Sequence, residues 1–486
     1  MNPRLKTSLA SLLIAFAYGL LFYHCEMGIN LFLFDALLIG LLMWARPETA
    51  KHSAFVWSVG GLLFSAGCVV VVHSEASIFA HHLTYVLVLG YAQARELRFV
   101  WFGLLLGLQS LYSGPPRAFQ QAKLARRNRM RREGRPGFVP WLKQALVPTL
   151  LLVPFVVLYA LGNDKFSAGL EGFFGAFTDV RIDGPIAQYL WLSLFGLLLT
   201  LGLFFPLRGV SRLVNRQNDF RDDLTRDRKN KLRNNPLYLR PRQIFTSLKR
   251  EYQQAVLTFG LLNLLLAVVN ATDLRYVWLD TATLDAATLS RYVHAGTGNL
   301  ICSIVLAMVV VLYYFRGNLN FLRGTPYLAP LAKLWIIQNG LLAISVGVRN
   351  WHYVDAYGLA LGRVHIAFIL LLILFGLYSL FRKVRDRLSL TYLLQTNGMA
   401  AWLGLLLFAA VNWSGVITRF NLATQTAEEI DWQYLHYGLS DGNTFLLLDH
   451  LDGKLNNQKK SSIHQYQPAD WRSWNFADWR NLRAMR

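Results

Sequence analysis

The stretch "HIAFILLLILFGLYSLF" at residues 365–381 is apolar around the whole circumference of a helix. A helix of a soluble protein normally carries one apolar stripe and an opposite polar face. An uninterrupted apolar run of this length is instead typical of a helix that crosses the hydrocarbon core of a bilayer. The run "VPTLLLVPFVVLYALG" at 147–162 has the same character. The chain is therefore predicted to be a membrane protein.

Similar apolar blocks recur on both sides of this stretch, and 54% of the 486 residues are hydrophobic. The predicted fold class is an all-α polytopic transmembrane helix bundle of eleven or twelve spans, with a small exported C-terminal segment. The candidate spans are 8–24, 29–45, 54–73, 78–93, 99–113, 144–162, 187–207, 254–272, 296–315, 328–348, 358–381 and 392–413.

Basic residues collect in particular connections, and the net charge is +21. The segment 114–143 has nine Lys or Arg and one acidic residue, whereas 208–251 has thirteen against five. Lys and Arg accumulate on the cytoplasmic side of membrane proteins. Connections poor in them alternate with the basic ones, which predicts that the tail from about 414 lies outside. The expected location is the bacterial inner membrane, in a multi-pass arrangement.

The orientation of the N-terminal third depends on how many spans precede the first basic segment. Arg4 and Lys6 favour a cytoplasmic N-terminus, which requires an even number of spans before 114–143. Five candidates are present, so one is expected to be re-entrant, or "YAQARELRFVW" at 91–101 joins two half-helices. Eleven spans with the N-terminus inside is the preferred topology, and twelve with it outside is the alternative.

These patterns divide the chain into membrane regions and connecting segments. The predicted organisation is an N-terminal membrane region of four to five spans, a basic cytoplasmic loop, two spans, a basic cytoplasmic segment, a five-span region and an extracytoplasmic tail. The corresponding ranges are 1–113, 114–143, 144–207, 208–253, 254–413 and 414–486.

The second half carries a family resemblance. Its ordered motifs are "NLLLAVVNATDLRYVW" (263–278), "VHAGTGNLICSIVLAMVVVLYYFRGNLNF" (293–321), "LAKLWIIQNGLLAISVGVRNWHYV" (331–354) and "VNWSGVITRFNL" (411–422). Over about 205–440 the chain resembles a family of uncharacterised bacterial inner-membrane proteins, domain of unknown function 4173, with a related 4153-type family. The resemblance implies the fold and the membrane location, and it brings no established activity.

Polar residues inside the second-half spans predict an outward-facing polar cavity. A basic residue at the bilayer centre costs about 2.5–3.5 kcal/mol, so it should face the bundle, a wet cavity or an interface. Arg363 is expected to pair with Asp355, Asp273 or Asp280, in a site that suits an anionic ligand or lipid headgroup. The alternative is interhelical hydrogen bonding alone. The candidate binding residues are Arg363, Asp355, Asp273, Asn299, Asn339 and His294.

A second constellation lies in the N-terminal third, where His24, His73, Glu75 and His81 are predicted near the outer surface. His and Glu are ligands of zinc and other transition metals, and His also suits proton relay. The spacing matches no strong metal motif, and the alternative is interfacial histidines without a ligand. No cofactor is predicted.

The charged loops and the tail suggest partners. Membrane lipids are expected, and the basic cytoplasmic loops suit anionic lipid, while nucleic acid is not expected. The tail repeats "ADWR" and places Trp471, Trp474, Trp479 and Leu482 near one helical face. That face favours packing on the protein's own outer surface, with a protein partner as the alternative.

The sequence contains no GxSxG, HExxH, P-loop or kinase motif, which favours a non-enzymatic role. The leading hypothesis is a transporter-like or envelope-assembly protein built around the polar cavity. One alternative is a membrane enzyme acting on a lipid-linked substrate, with Asp273, His294, His352 and Asp355 as candidate residues. Another is a membrane sensor or regulator that binds a partner through 208–251.

Overall fold

A computed structural model describes residues 3–93, 97–133, 165–166, 168–170, 185–205, 207, 210, 222–224, 248–279, 286–315, 318–322, 326–448 and 470–484. For 3–4, 121–133, 248, 276, 279 and 286–297 the description covers the backbone alone. The candidate span at 144–162 lies outside these residues. The described part of the chain is largely helical and forms no β-strand.

The described helices are α1 Pro3–Phe22, α2 Ile29–Ala45, α3 Ser53–Val71, α4 Glu75–Tyr91, α5 Val100–Glu133, α6 Pro185–Phe204, α7 Leu248–Asp273, α8 Ala286–Tyr314, α9 Leu328–Tyr357, α10 Leu361–Asp386, α11 Leu390–Ala409, α12 Trp413–Thr424 and α13 Phe476–Ala484. Within the described residues, seven helices are long and apolar enough to cross a membrane, namely α1, α3, α6, α7, α9, α10 and α11. Shorter apolar helices are α2 and the Gly298–Tyr314 part of α8. The predicted all-α polytopic bundle is confirmed.

Helices α1–α6 pack around one apolar core, which includes Phe34, Leu38, Phe55 and Leu87. Small residues allow close approach of the backbones, as is usual between membrane helices. On α6, a Cβ atom added at Gly196 would lie 2.4 Å from the Tyr18 side chain of α1. Glycine at this position therefore lets α1 and α6 come into direct contact.

Arg46 marks one face of this bundle. Its guanidinium donates hydrogen bonds to the main-chain carbonyl of Leu203 and, at 3.1 Å, to that of Ala92. Because Arg46 follows α2, and because Ala92 and Leu203 end α4 and α6, these three helices finish at the same face. We call it the Arg46 face, and the opposite face, which contains the α1–α2 turn at 23–28, the cap face.

Helix α5 stays near the Arg46 face. A Cβ atom at Gly90 of α4 would lie 1.8 Å from the Gly103 carbonyl, and one at Gly107 would lie 1.9 Å from the Val86 carbonyl. Further along α5, the Arg117 guanidinium donates to the Phe205 carbonyl at the end of α6. These partners belong to the last turns of α4 and α6. Helix α5 therefore passes across the bundle at this depth instead of running to the cap face.

A second core joins α7, α8, α9 and α10 and includes Phe259, Ile304, Trp335 and Leu342. Helix α11 connects the two bundles, since Trp402 contributes to the first core, where its indole donates to Thr84 Oγ1 at 3.1 Å. Leu393 of α11 belongs to the second core, so the two bundles share this helix.

The C-terminal cap comprises residues 412–448 and 470–484. Its apolar cluster includes Ile417, Leu435 and Leu447 and packs against Val364 of α10. The second part of the cap reaches the α1–α2 turn, because the Ser473 hydroxyl accepts from the Glu26 amide at 3.0 Å. The described tail thus contacts the α1–α2 turn, whereas Trp471 and Trp479 of its Trp-rich face are exposed.

Candidate functional site

The first polar site lies at the cap-face end of the second bundle and joins α7 to α9. Asp273, the last residue of α7, is 6% exposed. Ser345 donates to its Oδ2 at 2.6 Å, and the Arg349 guanidinium donates to its Oδ1. Ser345 and Arg349 are four residues apart and therefore share a face of α9. The carboxylate of Asp273 is satisfied by one hydroxyl and one guanidinium.

Arg349 retains unused hydrogen-bonding capacity at this site. Its side chain is 15% exposed, and its buried Nε has no hydrogen-bond partner. A guanidinium offers five donors in a planar fork that matches carboxylates and phosphates. The salt bridge with Asp273 therefore fixes one side of the guanidinium while a donor remains for a further acceptor.

Arg363 lies at the start of α10, where it does not pair with Asp273. Its guanidinium donates to the Gly358 carbonyl and lies 4.1 Å from the centre of the Tyr353 ring. The predicted Arg363–Asp273 pair is wrong, because Asp273 is occupied by Arg349. The described contacts of Arg363 include no carboxylate, Asp355 is exposed at the end of α9, and Asp280 lies outside the described residues.

Asn339 lies deeper in α9 and is 2% exposed. Its amide donates to the Trp335 carbonyl one turn earlier at 2.7 Å. The neighbouring Gln338 accepts from Asn270 of α7 through its main-chain carbonyl at 3.2 Å and donates to Asn263 Oδ1 at 3.3 Å. These bonds fasten α7 to α9, as in the alternative of interhelical hydrogen bonding.

The remaining candidates of the predicted cavity are dispersed. Asn299 is exposed on α8. His294 is also on α8, in the part for which the backbone alone is described. His352 hydrogen-bonds the Val277 carbonyl at 3.2 Å. The structure therefore brings together Asp273, Ser345 and Arg349, of which sequence analysis named only Asp273.

The predicted metal ligands do not form one set. No group of three or more His, Cys, Asp or Glu side chains that could hold a metal ion occurs among the described residues. His24 and His73 adopt the left-handed region with φ of 53° and 51°, just after the ends of α1 and α3. Glu75 lies in the first turn of α4.

The second polar site joins α2 to α4 and contains His81. Its Nδ1 lies 3.6 Å from Oδ2 of Asp35, and the two residues are 3% and 1% exposed. Asp35 was not among the residues predicted from the sequence. The available signal was a lone carboxylate within "INLFLFDALLIG" at 29–40, since ionisable residues inside spans are rare and usually functional.

A groove of about 520 Å³ lies between α10 and α11, on the Arg46-face half of the second bundle. Asp222, Tyr392, Gln395 and Thr396 line it, together with apolar side chains that extend to Leu403. It is remote from Asp273, which lies at the cap face. The groove is therefore a site separate from the predicted outward-facing cavity.

The fold and the two buried pairs define the class of this molecule: an all-α, multi-pass integral membrane protein with ionisable residues inside its helix bundles. The chain belongs to the family described as domain of unknown function (DUF4153), whose model matches residues 55–448. The resemblance to the 4153-type family is confirmed, and the assignment to domain of unknown function 4173 is not. Comparisons with curated proteins and with solved structures gave no match.

Proposed function

We propose that the chain is a non-enzymatic, transporter-like protein of the bacterial inner membrane that binds an anionic ligand at Arg349 on its outward side. The observation that carries this proposal is the buried Asp273–Arg349 pair with the unpartnered Nε of Arg349. Ionisable residues inside membrane helices are costly and typically mark ligand or ion pathways. An anion at Arg349 would complete the donor fork of the guanidinium.

The pair also suits a conformational role. It joins α7 to α9, and an anion that competes with Asp273 for the guanidinium weakens this link. A salt bridge that is broken without replacement costs about 3–5 kcal/mol in a buried site. A bound carboxylate or phosphate replaces part of that interaction, so the ligand stabilises an arrangement in which α7 and α9 separate. An envelope-assembly role would use the same site for an anionic lipid headgroup.

The test uses the purified full chain in detergent. Thermal unfolding is followed with inorganic phosphate, citrate or phosphatidylglycerol, each against chloride at equal ionic strength. At least one anion should raise the unfolding midpoint of the wild type, and the rise should disappear in Arg349→Gln. The control Arg382→Gln, at an exposed pair with Asp386 far from the site, should retain the rise.

Uptake into proteoliposomes then separates transport from assembly. Movement of the stabilising anion by the wild type and its loss in Arg349→Gln support a transporter. Binding without uptake favours the assembly role. If none of the three anions changes the unfolding midpoint in a way that depends on Arg349, the proposed site is wrong.

A second candidate function rests on the groove beside α11. Polar side chains lie at its Arg46-face end and apolar ones towards the bilayer centre, which suits a membrane amphiphile. Ala400 lines the groove, whereas the adjacent Ala401 is exposed on another face of α11. If an amphiphile occupies the groove, mass spectrometry should detect less co-purified lipid with Ala400→Trp than with Ala401→Trp. Equal amounts would contradict this role.

A further inference from the structure

We propose that Asp35 and His81 form a proton-binding site inside the first helix bundle, in which the two side chains share one proton. Nothing in the proposed anion site requires this function, because Asp35 and His81 belong to α2 and α4, whereas Arg349 belongs to α9. The ligand of this second site is a proton that exchanges with water at the cap face.

The first reason for proposing a proton-binding site is the buried environment of Asp35. Its side chain is 1% exposed, and both carboxylate oxygens lack a hydrogen-bond partner. An isolated carboxylate in such a place loses its hydration without compensation, at a cost of several kcal/mol. A proton on the carboxyl, or on the adjacent imidazole, removes this cost.

His81 supplies the second position for that proton. Its Nδ1 is buried without a hydrogen bond and lies 3.6 Å from Oδ2 of Asp35. This separation is slightly longer than a hydrogen bond, so a small side-chain rotation brings the two atoms into contact. With one proton the pair is neutral overall, either as carboxylic acid and imidazole or as carboxylate and imidazolium.

The hydrogen-bonding groups nearby are already in use. Thr84 donates to the Ala80 carbonyl at 2.7 Å and accepts from Trp402. Tyr85 donates to the Leu199 carbonyl at 3.3 Å. The Asp35 carboxyl and the Nδ1 atom of His81, by contrast, have no hydrogen-bond partner and lie 3.6 Å apart.

The other titratable groups around the pair are phenols, a histidine and a thiol. Tyr85 of α4 interacts electrostatically with Asp35 and with Tyr18 of α1, and His82 acts on His81. The titratable residue of α3 is Cys68, and that of α6 is Tyr189. At the cap, Asp470 and Arg472 pair with each other beside the end of α1. The basic residues of α1, Arg4 and Lys6, lie in its first turn at the Arg46-face end, and α3, α4 and α6 contain no Lys or Arg.

The depth of the pair gives the route for the proton. Asp35 and His81 each lie six residues after the start of their helix, at Ile29 and Glu75, which corresponds to about 9 Å below the cap face. The Ile29 amide donates to the Trp474 carbonyl of the cap at 2.9 Å. When water reaches the pair from this face, the proton leaves to water and the site becomes negative. Rebinding of a proton restores the neutral state.

Infrared difference spectroscopy of the full chain in nanodiscs tests the site directly, with pH steps as the only perturbation. The wild type should show a carbonyl stretching band from a protonated buried carboxyl that decreases as the pH is raised. Asp35→Asn should abolish this band, and His81→Gln should shift both its position and its pH midpoint. Asp431→Asn, at an exposed residue of the cap, should leave it unchanged.

The outcomes separate the alternatives. A band that persists in Asp35→Asn overturns the assignment, as does a wild-type band that His81→Gln leaves unaltered. If Asp35→Asn does not fold, the His81→Gln spectrum alone decides whether the imidazole shares the proton. Anion binding at Arg349 is measured separately by thermal shift, so failure of one site is distinguishable from failure of the other.

Discussion

The guanidinium of Arg46, at the end of α2, donates to the main-chain carbonyl of Leu203 at the end of α6. The same side chain reaches the Ala92 carbonyl after α4. The last carbonyls of a helix lack partners within the helix and carry partial negative charge. One buried arginine thus satisfies the ends of two helices and joins them to a third.

Removal of this guanidinium should destabilise the first bundle. Hydrogen bonds to charged groups contribute about 1.5–3 kcal/mol, so Arg46→Gln should lower the free energy of unfolding by at least that amount. Unfolding of the detergent-solubilised protein by sodium dodecyl sulfate measures the change. Arg382→Gln, at an exposed pair, is the control and should change stability by less than about 1 kcal/mol. Equal effects would show that Arg46 has no special role.

The position of α5 predicts which sites share a side of the membrane. In a background without Cys25, Cys68 and Cys302, Lys51→Cys and Gln120→Cys should react with an impermeant thiol reagent from the same side of sealed vesicles. Both residues are exposed near the Arg46 face. Ala427→Cys, in the cap, should react from the other side. Opposite labelling of positions 51 and 120 would mean that α5 crosses the membrane.

The pairing of Asp273 predicts strong coupling to Arg349 and none to Arg363. Asp273→Asn and Arg349→Gln should each cost about 3–5 kcal/mol, because each leaves a buried partner uncompensated. The double variant should cost clearly less than the two single changes together. Asp273→Asn combined with Arg363→Gln should be additive within about 0.5 kcal/mol. Unfolding free energies of the five variants give both coupling energies directly.

The close contact between α4 and α5 predicts intolerance of a single methyl group. A Cβ atom at Gly90 would lie 1.8 Å from the Gly103 carbonyl, so Gly90→Ala should destabilise by about 1–3 kcal/mol through overpacking. Gly60 of α3 has nothing within 4 Å of its Cβ position and provides the matched control. Gly60→Ala should be neutral or stabilising by up to about 1 kcal/mol. A thermal midpoint that falls equally in both variants would contradict the contact.

The membrane helices could be predicted from the sequence because the length of an apolar run is enough to indicate that the segment inserts into a membrane. The run at 365–381 lies within α10. The basic stretch 114–133, which was predicted to be a loop, instead continues helix α5. The length of the apolar run did not predict the direction of α5. A helix that lies across the bundle and a helix that spans the membrane have similar apolar compositions. What distinguishes them is the contact of Gly103 with α4 and of Arg117 with α6.

The polar sites were harder to predict for a related reason. Helix periodicity indicates which residues share a face, but it does not indicate which helices face each other. Asp273 was recognised as a candidate, whereas its partner Arg349 depended on the packing of α7 against α9. Asp35 and His81 are likewise joined by the contact of α2 with α4 and by no spacing along the chain.

The cap also sets an order of events during synthesis. The Glu26 amide and the Ser473 hydroxyl are 447 residues apart in the chain, yet they form a hydrogen bond. The first helix pair therefore enters the membrane long before the ribosome has made the segment that closes its turn. Until that segment is released and docks, the nascent chain exposes the Gly28–Ile29 backbone. A chain that ends before residue 473 lacks this hydrogen bond, and its α1–α2 turn stays open. The open turn distinguishes the truncated protein from the full-length one and gives membrane proteases an unfolded segment to cleave.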